Sequence, residues 1–174
     1  MVSEALDSIC LALVGSRGSG KTLLMTYLAI LMMAYHRSKV WSNYIINCDY
    51  IFANGEIVHC ESIPLDMNSL YCFDKGIADG LVLIDEVNLW GNSRTSMATT
   101  NRLLNDILTL IRHRQLSFYF TTQSESWIDS RIRFQLDILG RCQDLHHRYP
   151  KYRKGTHIQI GFQDMSGLTG FPFN

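Results

Sequence analysis

Prolines are scarce in this 174-residue sequence (three), net charge is zero and no CxxC pair occurs; each of these limits what the protein can be. Few prolines and only 18% charged residues, against 47% hydrophobic ones, exclude a disordered or low-complexity chain and leave enough apolar surface for a packed core. The five cysteines (Cys10, Cys48, Cys60, Cys72, Cys142) are odd in number and widely spaced, which argues against a disulfide framework and a zinc ribbon and for reduced thiols. The N-terminal segment carries acidic residues where a signal peptide is basic, and the longest apolar run, Leu23 to Tyr35, is broken by Thr26. Neither export nor membrane insertion is expected, and an intracellular, soluble protein is. No internal repeat is present. One domain spanning 1–174 is expected, with its core at about 9–148 and an edge strand and tail beyond.

Zero net charge hides a segregated field. Residues 112–154 carry nine Lys/Arg against four Asp/Glu, whereas residues 1–111 carry seven against eleven.

Ser8 to Val14 is a short apolar run that ends in glycine, the pattern of a strand buried on both faces. A glycine-rich loop follows. Lys21 to His36 then runs without Gly or Pro and is apolar on all sides, which predicts a buried helix. Val40 to Asn43 is strand-like, and Tyr50–Phe52 and Glu56–His59 flank an Asn54-Gly55 turn, a hairpin signal. Strands are expected at Gly80–Ile84, Leu116–Phe120 and Ile138–His146, with helices at about 97–113 and from Trp127 to Leu136. Alternation at residues 157–162 predicts an antiparallel edge strand. Repeated βα alternation gives an α/β fold: a mainly parallel central sheet flanked by helices, with a β-hairpin and the antiparallel edge.

The loop Gly15-Ser16-Arg17-Gly18-Ser19-Gly20-Lys21-Thr22 fits GxxxxGK[ST] at every fixed position. Glycines let backbone N–H groups curl around phosphate oxygens, and the following helix offers its positive N-terminus to the same anion. Lys21 then reaches the β- and γ-phosphates of ATP, and the Thr22 hydroxyl is placed to ligate Mg²⁺. Leu81 to Glu86 has the form of a Walker B strand, its Asp85 facing the metal. Glu86, aimed differently, is the candidate base that activates water against the γ-phosphate.

Three further groups carry two readings each. Gln123, ending an apolar strand, either senses the γ-phosphate or holds the attacking water, or is a turn residue. Arg112 is either an arginine finger for a neighbouring subunit or a favourable charge at a helix C-terminus, the reading that Arg114 also fits. Residues 146–154 interleave cations with aromatics, so Arg148, Lys151, Arg153 and Lys154 are candidates for DNA phosphate contact or a solvated turn. Arg131 and Arg133 form a second candidate pair, for the finger as well as for DNA contact. Cys142 with His146 and His147 lacks a fourth ligand at a recognised metal-binding spacing.

With Walker A, Walker B, the adjoining glutamate and the strand-ending glutamine in order, the chain resembles P-loop NTPases with an additional strand and a catalytic glutamate. Within them it is similar to the FtsK/HerA superfamily, especially viral genome-packaging ATPases and ATPase domains like that of zonula occludens toxin. The matching stretch is about 9–145. It includes Asp85 to Trp90, Ser93-Arg94 and Trp127 to Arg133, and the arginine eleven residues before the glutamine is Arg112. The resemblance implies a RecA-like core that assembles as a ring, usually a hexamer, hydrolyses ATP at subunit interfaces and pulls double-stranded DNA through its centre. A viral capsid or vertex protein is then the expected partner. Toxin-like phage assembly proteins are membrane-anchored, and the absence of a spanning segment favours a soluble packaging motor.

Two other functions fit a P-loop: a kinase for a nucleoside or small metabolite, and an assembly protein gated by nucleotide. Asp85-Glu86 with Gln123 suits water activation better than transfer to a bound hydroxyl. No NKxD guanine-reading motif occurs, which argues against a GTPase.

Overall fold

The computed structural model describes residues 8–65, 76–87, 107–109, 111, 113–128, 130–149 and 151–165. Strand β1 (Cys10–Val14) leads through the glycine loop into helix α1 (Lys21–His36) and β2 (Lys39–Ser42). A hairpin of β3 (Asn47–Ile51) and β4 (Ile57–Glu61) precedes the short β5 (Ile63–Pro64) and β6 (Gly80–Ile84). Then come β7 (Leu116–Thr122), β8 (Ile138–Asp144) and β9 (Ile158–Asp164). The main sheet has the order β5-β2-β6-β7-β1-β8-β9; among the described residues β3 and β4 pair only with each other. All of its pairings are parallel except β8 with β9. The fold is therefore α/β and RecA-like, with β7 as the additional strand between the Walker A strand β1 and the Walker B strand β6.

Alternation along each strand divides the core in two. Leu11 and Leu13 of β1, Leu81 and Leu83 of β6 and Tyr119 of β7 face α1 through Met25, Ala29 and Met33. Cys10, Ala12, Val14, Val82, Ile84, Phe118 and Phe120 face the other way, against Ile107, Leu108, Ile111, Ile128 and Ile132. Both faces of the central strands are thus covered, which is why they read as continuous apolar runs. Full burial of Phe118 and Phe120 contributes roughly 1.5–3 kcal/mol each.

The structure corrects three sequence expectations. α1 is not buried all round: Leu23, Tyr27 and Tyr35 are exposed, because one face packs on the sheet and part of another on the hairpin. Tyr35 meets Tyr50 and Phe52 edge-to-face there. The helix expected from Trp127 to Leu136 is split, because Ile128 is extended between a 3₁₀ turn at Glu125–Trp127 and one helical turn at Ser130–Arg133. β8 ends at Asp144 rather than His146, since the Asp144 carboxylate accepts from the His146 N–H and caps a 3₁₀ turn at Leu145–His147. Of the helix expected at 97–113, residues 107–109, 111 and 113 are helical, and 97–106, 110 and 112 lie outside the described residues.

Candidate nucleotide site

The parallel strands β1, β6, β7 and β8 all end at one edge of the sheet, and the chemistry-bearing residues of the sequence gather there. Gly15 follows β1, and its N–H donates to the Thr122 carbonyl of β7 at 3.3 Å. A Cβ at Gly15 would collide with the Cys142 carbonyl of β8 and lie 2.6 Å from Ser19 Oγ, so close approach requires glycine here. Gly20 needs its glycine for a different reason. It caps α1 at φ +83°, a left-handed conformation, with the Ile158 side chain packed over it.

Among the described residues no side chain caps the N-terminus of α1, and no acid stands in its first turn. Its free N–H groups and positive dipole end are left to an outside anion. Lys21 is almost wholly buried, and its ammonium donates to the Gly15 and Ser16 carbonyls at 2.8 and 2.9 Å, which places the cation under the loop. Ser16, Arg17 and Gly18 form the exposed crest. Ser19 is fully buried, and its hydroxyl finds no hydrogen-bond partner among the described residues. An orphaned hydroxyl, uncapped amides and an enclosed ammonium in one loop fit a triphosphate.

The second half of the site is the end of β6. The Thr22 hydroxyl donates to Asp85 Oδ1 at 2.9 Å, which joins Walker A to Walker B directly. Among the described residues no group of three or more His, Cys, Asp or Glu could hold a metal. An ion at Thr22 and Asp85 would complete its oxygen shell from phosphate and water, as Mg²⁺ favours. Glu86 departs from the strand at φ +51°, unusual for a residue with a Cβ. Gln123 Nε2 donates to both of its carboxylate oxygens, at 2.9 and 3.2 Å. Glu86 and Gln123 are thereby brought together, as the sequence motifs imply.

The structure adds residues that the motifs do not contain. Thr121 Oγ1 donates to Asp85 Oδ1 and accepts from the Glu86 N–H, and Asn43 bonds both backbone groups of Asp85. Tyr44 reaches Thr26 Oγ1 at 3.0 Å, while Thr26 donates to the Thr22 carbonyl. Burial chiefly, with the Asp85 charge adding to it, raises the Tyr44 phenol above its ordinary pKa of 10.0, although its hydrogen bond with Thr26 acts the other way. Burial likewise raises the Cys142 thiol, with Lys21 opposing. Nothing in the sequence marks Asn43 or Thr121: Asn43 stands just past the end of β2, and Thr121 lies inside the apolar run of β7.

The remaining candidates divide. Arg112 lies outside the described residues, as do residues 88–90, Ser93, Arg94 and Asp129 of the stretches that carry the resemblance. Arg114 donates to the Ile77 carbonyl. The Arg133 guanidinium donates to the Ile128 and Glu125 carbonyls and so stabilises the turn it follows; Arg131 is exposed. Arg148, Lys151, Arg153 and Lys154 are exposed in the excursion between β8 and β9, at the same sheet edge as the P-loop. Asp144 anchors that excursion through the N–H groups of His146 and Gly155. Arg148 lies over Tyr149 and Lys151 over Tyr152, which stacks on His157 at 4.1 Å.

A family model described as zonular occludens toxin (Zot) matches residues 11–166, nearly the whole chain. The chain belongs to the zonular occludens toxin family. No curated protein matches it. Among solved structures, the genome packaging NTPase from Sulfolobus turreted icosahedral virus 2 in complex with ATP-gammaS is similar with 15% identity and a TM-score of 0.60, over 97% of this chain and 96% of that one. The N-terminal domain of zonular occludens toxin from Neisseria meningitidis is 16% identical, over 91% and 85% of the two chains, with a TM-score of 0.52. A KaiC-like protein from Pyrococcus horikoshii is 13% identical over 90% and 77%, with a TM-score of 0.59. At these identities the likeness is one of fold. No helix among the described residues is long and apolar enough to cross a membrane.

Proposed function

We propose that the chain is an ATP-hydrolysing motor subunit that assembles into a ring, most simply a hexamer, and translocates double-stranded DNA for viral genome packaging. One observation carries the hydrolase reading: the P-loop hydroxyl of Thr22, the Asp85 carboxylate and the Glu86–Gln123 pair meet at a single sheet edge. ATP with Mg²⁺ supplies the phosphoanhydride to be cleaved. The loop amides and Lys21 bind the β- and γ-phosphates, and the Thr22 hydroxyl and Asp85 carboxylate hold the ion. Glu86 takes the proton of the attacking water, and Gln123 sets the direction of its carboxylate. The fold shared with a viral genome packaging NTPase supports packaging as the use of this chemistry. The exposed cations at 148–154 suit sequence-independent phosphate contact.

The deciding experiment measures phosphate release with and without DNA, together with mass in solution with and without an ATP analogue. A ring with DNA-stimulated release supports the motor. Phosphoryl transfer to nucleosides by a monomer overturns it in favour of a kinase, and nucleotide-dependent assembly without hydrolysis overturns it in favour of a gated assembly protein.

A further inference from the structure

Asp85 and Glu86 stand where the ladder of β6 ends, and a strand end normally leaves its last amide and carbonyl to water. Here they are taken by side chains from the two neighbouring strands. On the β2 side, Asn43 Oδ1 accepts from the Asp85 N–H at 2.8 Å, and its Nδ2 donates to the Asp85 carbonyl at 3.0 Å. One side-chain amide therefore makes both bonds that a paired strand residue would make, and it extends the ladder by one residue. On the β7 side, the fully buried Thr121 hydroxyl accepts from the Glu86 N–H at 2.8 Å and donates to Asp85 Oδ1 at 2.7 Å.

We infer that Asn43 and Thr121 are positioning residues that lock the Asp85–Glu86 peptide and thereby set the aim of both carboxylates. The inference rests on the hydrolase reading of the same site. Glu86 has left-handed backbone, which a residue with a Cβ keeps only when its surroundings enforce it. Thr121 supplies that enforcement on the main chain, and Gln123, just past the end of β7, supplies it on the carboxylate. The Thr121 hydroxyl also shares Asp85 Oδ1 with Thr22, so the Walker A hydroxyl, the metal-facing acid and the base's backbone form one hydrogen-bonded chain. Asp85 Oδ2 has no hydrogen bond among the described residues and is the oxygen left for a metal or its water. Valine at 121 has the right shape but neither accepts nor donates, so the Glu86 amide would lose its partner.

Two measurements on the whole chain test this. In ¹⁵N-labelled protein without nucleotide, hydrogen exchange of the Glu86 amide should speed up at least about tenfold in Thr121→Val, while in Asn43→Ala the Asp85 amide should do so. Thr121→Ser, which keeps the hydroxyl, should retain protection. In ATPase assays Thr121→Val should lower kcat about 10- to 100-fold, the scale of an ångström's misplacement, with ATP affinity within about threefold of wild type, and Thr121→Ser should recover most of the rate. Unchanged exchange and kcat in Thr121→Val would overturn the inference; if that variant does not fold, unchanged Asp85 exchange in Asn43→Ala would do the same. Wild-type protein that protects both amides but hydrolyses no ATP would refute the hydrolase reading and leave the lock standing.

Discussion

Gln123 Nε2 spans the Glu86 carboxylate, 2.9 Å from one oxygen and 3.2 Å from the other, across the ends of two adjacent strands. The amide and the acid therefore act as one unit, and their mutational effects should not add. Glu86→Gln should keep nucleotide binding and slow hydrolysis about 10²-fold or more. Gln123→Ala should slow wild type yet change little in the Glu86→Gln background, in single-turnover phosphate release. Fully additive losses would mean the two residues work independently.

Lys21 is tied to the Gly15 and Ser16 carbonyls, and on nucleotide binding it would exchange them for phosphate oxygens. Lys21→Ala should weaken ATP binding and abolish turnover, as read by calorimetry and phosphate release. Turnover like that of wild type would remove the P-loop assignment.

Gly15 has no room for a methyl group, because the obstacle is the backbone carbonyl of Cys142 and not a flexible side chain. Gly15→Ala should destabilise the protein by about 1–3 kcal/mol, the usual cost of overpacking, and displace the loop. Denaturant unfolding with an unchanged midpoint would contradict this contact.

Lys151, Arg153 and Lys154 are exposed on the excursion beside the P-loop. Neutralising all three should weaken DNA binding equally for all sequences and flatten its salt dependence by up to about three counterion-release units. An unchanged slope would move the DNA path elsewhere, with Arg131 the next residue to test.

Arg112 separates a finger in trans from a helix-end charge. As a finger, Arg112→Ala should spare nucleotide binding and cost roughly 10³-fold or more in turnover. Mixing Arg112→Ala with Lys21→Ala subunits should then restore some hydrolysis, because each supplies the half-site the other lacks. A helix-end charge predicts no rescue and a stability loss of only about 0.3–1 kcal/mol. Mixed oligomers without activity would exclude Arg112 as the finger.

Short-range chemistry made much of this legible in the sequence. The spacing of Gly15, Gly20, Lys21 and Thr22 encodes the phosphate loop because its backbone geometry is local, and β1 and β6 show as apolar runs because both faces of a central strand are covered. Adjacent residues at the end of β6 likewise give Asp85 and Glu86 different directions within one motif. The parts that the sequence did not reveal depend on register between strands distant in the chain. Asn43 and Thr121 touch Asp85 across 42 and 36 residues, through the parallel pairing of β2 and β7 with β6. A single threonine or asparagine carries no local pattern that announces such a bond. The exposed flank of α1 was hidden for the same reason: hydrophobicity all round the helix does not say which side the sheet will take, and only packing decides.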